Sequence, residues 1–186
     1  MKTSRIKIVA VLALVLVTMA CQTEKISETQ LKLARYALKI GDLPKGWKFT
    51  GKSWGNGYGD EGYTVTYEID DHNFLSHTIS IYSNQSQAQK GYEEWNNEWF
   101  ESTQPWPEAK YFPLDSKDDY KFECLRLNPE SPLLSCRYLQ RHNEIISFVR
   151  TSLDNTSMTF AELDKVLGVL DERVNTVTLM EETPTP

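Results

Sequence analysis

Hydrophobic and polar positions change their spacing several times along this chain, and each change predicts an element. Ile8 to Ala20 is a thirteen-residue apolar run. After it, Ser27 and Gln30 form a capping box, with Ile26 placed to staple against Leu31. The spacing predicts a helix through Leu31, Ala34, Tyr36 and Leu38 to Ile40, stopped at Gly41. Asp42 to Trp47 reads as a turn leading into a strand at Trp47–Thr50, followed by a glycine-rich loop over 54–62. Tyr63, Val65, Tyr67 and Ile69 then alternate with Thr64, Thr66 and Glu68, the period-two pattern of a half-buried strand. Asp70 to Asn73 is a turn, and Leu75, His77, Ile79 and Ile81 share one face of the return strand.

The period becomes helical after Ser83. Ala88, Tyr92, Trp95 and Trp99 lie four, three and four apart, a single stripe that predicts a core-facing helix with both tryptophans buried. That helix ends before Pro105-Trp106-Pro107, and 103–118 reads as a loop crossing the molecule. Strands follow at Phe122–Leu127, Leu133–Gln140 and Glu144–Leu153, the last after a tight turn at Arg141–Asn143. A final helix opens on the capping box Thr159/Glu162 and buries Phe160, Leu163, Leu167, Leu170 and Val174.

These elements predict an α+β fold: an antiparallel sheet of five to seven strands packed with two to three helices. The two halves share a strand–strand–strand–helix rhythm without a residue-level repeat. In element order the body is loosely similar to the PsbP/Mog1-like α/β/α sandwiches, a likeness that carries no function. The expected layout is a signal at 1–20, a tether at 21–26, one domain at 27–179 and a flexible tail at 180–186.

The apolar run gives the chain an address. Lys2, Arg5 and Lys7 precede it, and small Ala20 stands just before Cys21. Spanning hydrocarbon takes about 20 residues, so the run suits a signal peptide better than a transmembrane helix. The segment Val17-Thr18-Met19-Ala20-Cys21 resembles the end of a bacterial lipoprotein signal, with Thr18 and Met19 where that pattern prefers Leu and a small residue. The resemblance implies a diacylglyceryl group on the Cys21 thiol and cleavage just before it. Ordinary secretory cleavage after Ala20 and an uncleaved short anchor are the competing readings.

Composition sharpens this. The chain of 186 residues carries 20 Lys+Arg against 26 Asp+Glu, a net of −6. Without the three basic leader residues the balance is 17 against 26, or −9. So acidic a surface repels phosphate backbones and anionic headgroups, which argues against nucleic-acid binding and against electrostatic membrane attachment. A lipid-anchored protein on the outer side of a cell membrane or outer membrane, free-standing or accessory to an envelope complex, is the expectation.

Three cysteines are an odd count for an exported chain. With Cys21 lipidated, Cys124 and Cys136 are left to pair. Their strands close about residue 130, which puts the two directly opposite in a hairpin, within reach of a disulfide.

Motifs of catalysis are absent. No Gly-x-Ser-x-Gly elbow or Ser-x-x-Lys set occurs, and Asp118/Asp119 and Glu93/Glu94 are sequence neighbours whose side chains diverge. The loop over 55–62 lacks the Lys-Ser/Thr ending of a phosphate loop. Asp70, Asp71 and His72 form a weak metal candidate in an acidic turn. No catalytic residue, metal or cofactor is therefore assigned. The aromatic residues about the glycine loop are more open to function: Trp54 and Tyr58 are the candidate ligand-binding residues, and Trp47 and Tyr63 the candidate core. The resulting expectation is a non-enzymatic envelope binding or accessory module; an envelope hydrolase with an unrecognised site and a carbohydrate-binding module are the alternatives.

Overall fold

The computed structural model describes residues 26–55, 58–100, 119–126, 130, 133–154 and 156–181, with side chains through 176. Cys21 and its signal, the loop at 103–118, most of the hairpin turn about residue 130 and the end of the tail lie outside the described residues. The elements run α1 (Glu28–Tyr36), a 3-10 turn (Ile40–Asp42), β1 (Lys48–Trp54), β2 (Glu61–Glu68), β3 (Phe74–Ile81), α2 (Gln85–Phe100), β4 (Asp119–Arg126), β5 (Leu134–His142), β6 (Ile145–Leu153) and α3 (Phe160–Glu181). None of the described helices is long and apolar enough to cross a membrane.

The six strands form one antiparallel sheet in the order β1-β2-β3-β6-β5-β4. Two meanders meet at its centre, where β3 pairs with β6 from Leu75↔Thr151 to Ile81↔Ile145. The hairpin of β4 and β5 sets Cys124 opposite Cys136, joined by a disulfide with Cα atoms 4.0 Å apart.

Helices lie on both faces of the sheet, giving an α+β fold of three layers. On one face, Tyr63, Val65, Leu75, Ile79, Tyr138 and Val149 pack under Leu33 and Tyr36 of α1 and Leu163, Leu167, Leu170 and Val174 of α3. On the other, Leu139, Ile146 and Phe148 pack under Ala88, Trp95 and Phe100 of α2. In strand β2, Tyr63, Val65 and Tyr67 are buried in the core under α1 and α3, and Thr64 is buried on the opposite face.

Both capping boxes form. Gln30 N–H donates to Ser27 Oγ at 3.0 Å, and Ser27 N–H donates to Gln30 Oε1 at 2.9 Å. Thr159 N–H donates to the Glu162 carboxylate at 2.8 Å. Asn84 caps α2 by accepting from Gln87 N–H. Ile26 and Leu31 are both exposed, so a staple between them protects nothing in the core.

Helix α1 ends at Tyr36, a turn earlier than its pattern predicts. The cause is tertiary. Leu38 N–H donates to Nδ1 of buried His77 at 3.1 Å, and the Leu38 carbonyl accepts from the Tyr67 hydroxyl at 2.6 Å. Both backbone groups of Leu38 thus bond to the sheet instead of continuing the helix. Arg173 of α3 then holds the Ala37 carbonyl and the Asp42 carboxylate.

Candidate functional site

Helix α2 lies mainly over β5 and β6 on its face of the sheet. The neighbouring part of that face, on β2 and β3, carries Thr64, Thr66, Ser76 and Thr78 in place of aliphatic residues. Between this polar bay, α2 and the loop joining β1 to β2 lies a cavity of about 370 Å³. Ser76 and Thr78 of β3 and Phe148 and Arg150 of β6 line it, together with Trp95 and Trp99 of α2 and Gly55 and Tyr58 of the loop. The register places Ser76 beside Arg150 and Thr78 beside Phe148.

The loop reaches this position through its glycines. Gly55 has φ +81°, a left-handed conformation that costs glycine little, and its N–H donates to the Gly62 carbonyl. Gly59 lies so close to the Ile81 carbonyl that a Cβ there has no room. Asp60 N–H donates to that same carbonyl at 2.9 Å. Tyr58 is thereby carried over α2, where its ring meets Trp95 edge-on at 4.9 Å and its hydroxyl donates to the Glu98 carboxylate. That bond, with partial burial and the nearby Glu98 and Glu94 charges, raises the phenol's pKa above its ordinary value. Tyr58 remains 50 % exposed and divides the cavity from a second, more polar one of about 380 Å³ lined by Asp60, Ser83, Gln87, Lys90 and Glu94 among others.

Helix α2 approaches Tyr82 so closely at Gly91 that a Cβ there would collide with the tyrosine's hydroxyl and ring edge. Trp95 and Trp99, one turn apart, then bracket Phe148 with ring centroids at 4.7 and 5.4 Å. Two arginines on adjacent strands flank Trp99. Arg137 lies 5.6 Å from its ring and donates to its carbonyl, with Glu123 at 3.5 Å. Arg150 lies 4.9 Å from the Trp99 ring and 5.7 Å from Phe74. No carboxylate among the described residues pairs with Arg150. Burial, and then the Arg137 charge, lower its pKa from the ordinary arginine value.

The sequence candidates fall in different places. Tyr58 lines the cavity. Trp54 is not in the glycine loop but in β1, stacked on Tyr63 at 4.1 Å against the α1/α3 core, on the opposite face of the sheet. Trp95 is buried at 3 % exposure, whereas Trp99 is only partly buried and forms a cavity wall. Asp70 is a turn residue: its carboxylate accepts from the Asn73 side-chain amide at 2.9 Å and from the His72 and Asn73 N–H groups at 2.8 Å each, and these bonds, the side-chain one foremost, lower its pKa. Among the described residues no three His, Cys, Asp or Glu gather to hold a metal. Ser76, Thr78 and Arg150 were missed by sequence reasoning, although Arg150 is the lone charge within Ile145–Leu153, and that could have flagged it.

No Asp, Glu, His or Cys is among the described residues that line the cavity. His77, the buried histidine, lies under the other face, bonded to Leu38 and Ser147 and held neutral by burial. The described lining thus offers flat aromatic walls, hydroxyls and one cation.

A three-layer α+β domain with such a cavity is the class of protein that fold and site define. No family model and no curated protein matches the chain. Among solved structures it is similar to the extracellular domain of PknH from Mycobacterium tuberculosis, with a TM-score of 0.51 and 6 % identity over 83 % of this chain and 98 % of that one. At that identity the likeness is one of fold.

Proposed function

We propose that this chain is an exported domain, anchored by lipid on Cys21, that binds a small ligand in the cavity beside α2. The observation that carries the binding reading is the cavity itself. Its volume lies within the range of small-molecule sites, roughly 300–1,000 Å³, and its apolar walls with a few converging polar groups are the usual construction of such sites. Export is supported by the signal-like N-terminus and by the Cys124–Cys136 disulfide, since such bonds persist outside the cytoplasm. The fold is also one that an extracellular domain adopts. Lipid attachment rests on Cys21 and on the −9 balance, which leaves little else to hold the protein to an anionic bilayer.

Two measurements test this. Fatty-acid labelling is expected in the native chain and absent after Cys21→Ala; equal mass and equal detergent partitioning of the two refute the anchor. Trp95 and Trp99 make the cavity fluorescent, so envelope small-molecule fractions are expected to change tryptophan emission and raise the melting temperature. Fractions that shift the native chain and a cavity-blocked Ser76→Trp variant equally place any binding elsewhere.

A further inference from the structure

Arg150 needs a reason. It extends from the centre of the sheet, partly buried, with its charge set among rings. A cation withdrawn from water is costly unless an anion meets it. Its neighbour across the strands, Arg137, has such a partner in Glu123 and is further satisfied by the Trp99 carbonyl. That carboxylate lies beyond β5 on β4, so the local charge of the Glu123–Arg137–Arg150 row is one positive, in a protein whose overall balance is acidic. Arg150 lines the cavity, its guanidinium 4.9 Å from the Trp99 ring and 5.7 Å from the Phe74 ring.

We infer that Arg150 is an anion receptor, and that the ligand of this cavity is an acidic sugar: a pyranose-sized ring bearing one carboxylate or phosphate. The inference rests on the reading of the cavity as a ligand site. Each part of such a molecule has a counterpart. The planar guanidinium presents parallel N–H donors that match a carboxylate or phosphate. The Ser76 and Thr78 hydroxyls supply donors and acceptors for ring hydroxyls, and Thr78 already shares a hydrogen bond with Thr64 Oγ1 that orients it. The aromatic walls suit the C–H faces of a sugar ring. About 370 Å³ is at the small end of ligand cavities, which fits one or two rings better than a long chain.

The test is titration of the purified full chain, read by tryptophan emission and calorimetry, with four probes: glucuronate, its methyl ester, glucose and glucose 6-phosphate. Glucuronate, glucose 6-phosphate or both are expected to bind, and the neutral ester and glucose at least about tenfold more weakly, the scale of one charge-assisted contact. Preference between the two acids tells carboxylate from phosphate. Arg150→Met is expected to lose the acid preference, and Arg150→Lys, which keeps the charge without the fork, to retain part of it. Equal binding of neutral and acidic probes overturns the anion receptor while leaving the cavity a ligand site. Unchanged acid binding in Arg150→Met overturns it too, as does no response to either acid at millimolar concentration.

Discussion

Acid should unfasten the junction between α1 and the sheet. His77 is buried, its Nδ1 accepts from Leu38 N–H, and its Nε2–H donates to Ser147 Oγ, so the ring is neutral. Burial first, and the Arg173 charge second, push its pKa down from 6.5 to about 3. Arg173 is itself paired with Asp42, and Tyr67 donates to the Leu38 carbonyl next door. The unfolded chain takes up the proton near 6.5 while the folded one refuses it. Stability is therefore complete above that pH and is lost as pH falls toward 3, at about 1.4 kcal/mol per unit. Between pH 7 and pH 5 the loss is about 2 kcal/mol, in a window where carboxylates are still largely ionised. Urea unfolding at a series of pH values measures it. His77→Gln should be less stable at neutral pH by about 1–3 kcal/mol, since Leu38 N–H and Ser147 lose their geometry, and should show a flat profile over that window. A variant that keeps the native slope refutes the reasoning, because the proton then binds elsewhere.

Other perturbations test the remaining structure. Replacing Cys124 and Cys136 by Ser should cost about 3 kcal/mol, the closure of a loop between residues 12 apart in sequence; unfolding curves that coincide with and without reductant contradict it. Gly91→Ala pushes a Cβ into the Tyr82 ring, and about 1–3 kcal/mol of thermal stability should be lost with a change in Trp95 emission. Tyr58→Phe removes the bond to Glu98 from an exposed wall; stability should change by less than about 0.5 kcal/mol while ligand affinity falls. Arg150→Met should leave the melting temperature unchanged or raised, because a partly buried cation beside Arg137 is exchanged for an apolar chain.

Local chemistry was legible in the sequence. Both capping boxes, the hairpin register that faces Cys124 with Cys136, the turn at Asp70 and the apolar stripes of α2 and α3 follow from spacing, since each depends on neighbours within a few residues. The fold class followed from the same pattern. What depended on residues far apart was decided by tertiary structure. Pairing of β3 with β6 brings Leu75 to Thr151 and sets the strand order. It also seats Ser76 beside Arg150, so the floor of the cavity arises from two strands that are each unremarkable alone. Alternation told which residues of β3 share a face, but not that the polar face remains half uncovered, because α2 lies over β5 and β6. Trp54 and Tyr58 stand four apart in one aromatic-rich stretch, yet the strand turns Trp54 to the α1/α3 core and the loop carries Tyr58 to the cavity. Helix α1 stops at Tyr36 because His77, thirty-nine positions beyond Leu38, takes the backbone N–H that the helix would have used. Short-range hydrogen bonds and periodicity are written locally; which face is covered, and which charge is left without a partner, depends on how the layers close.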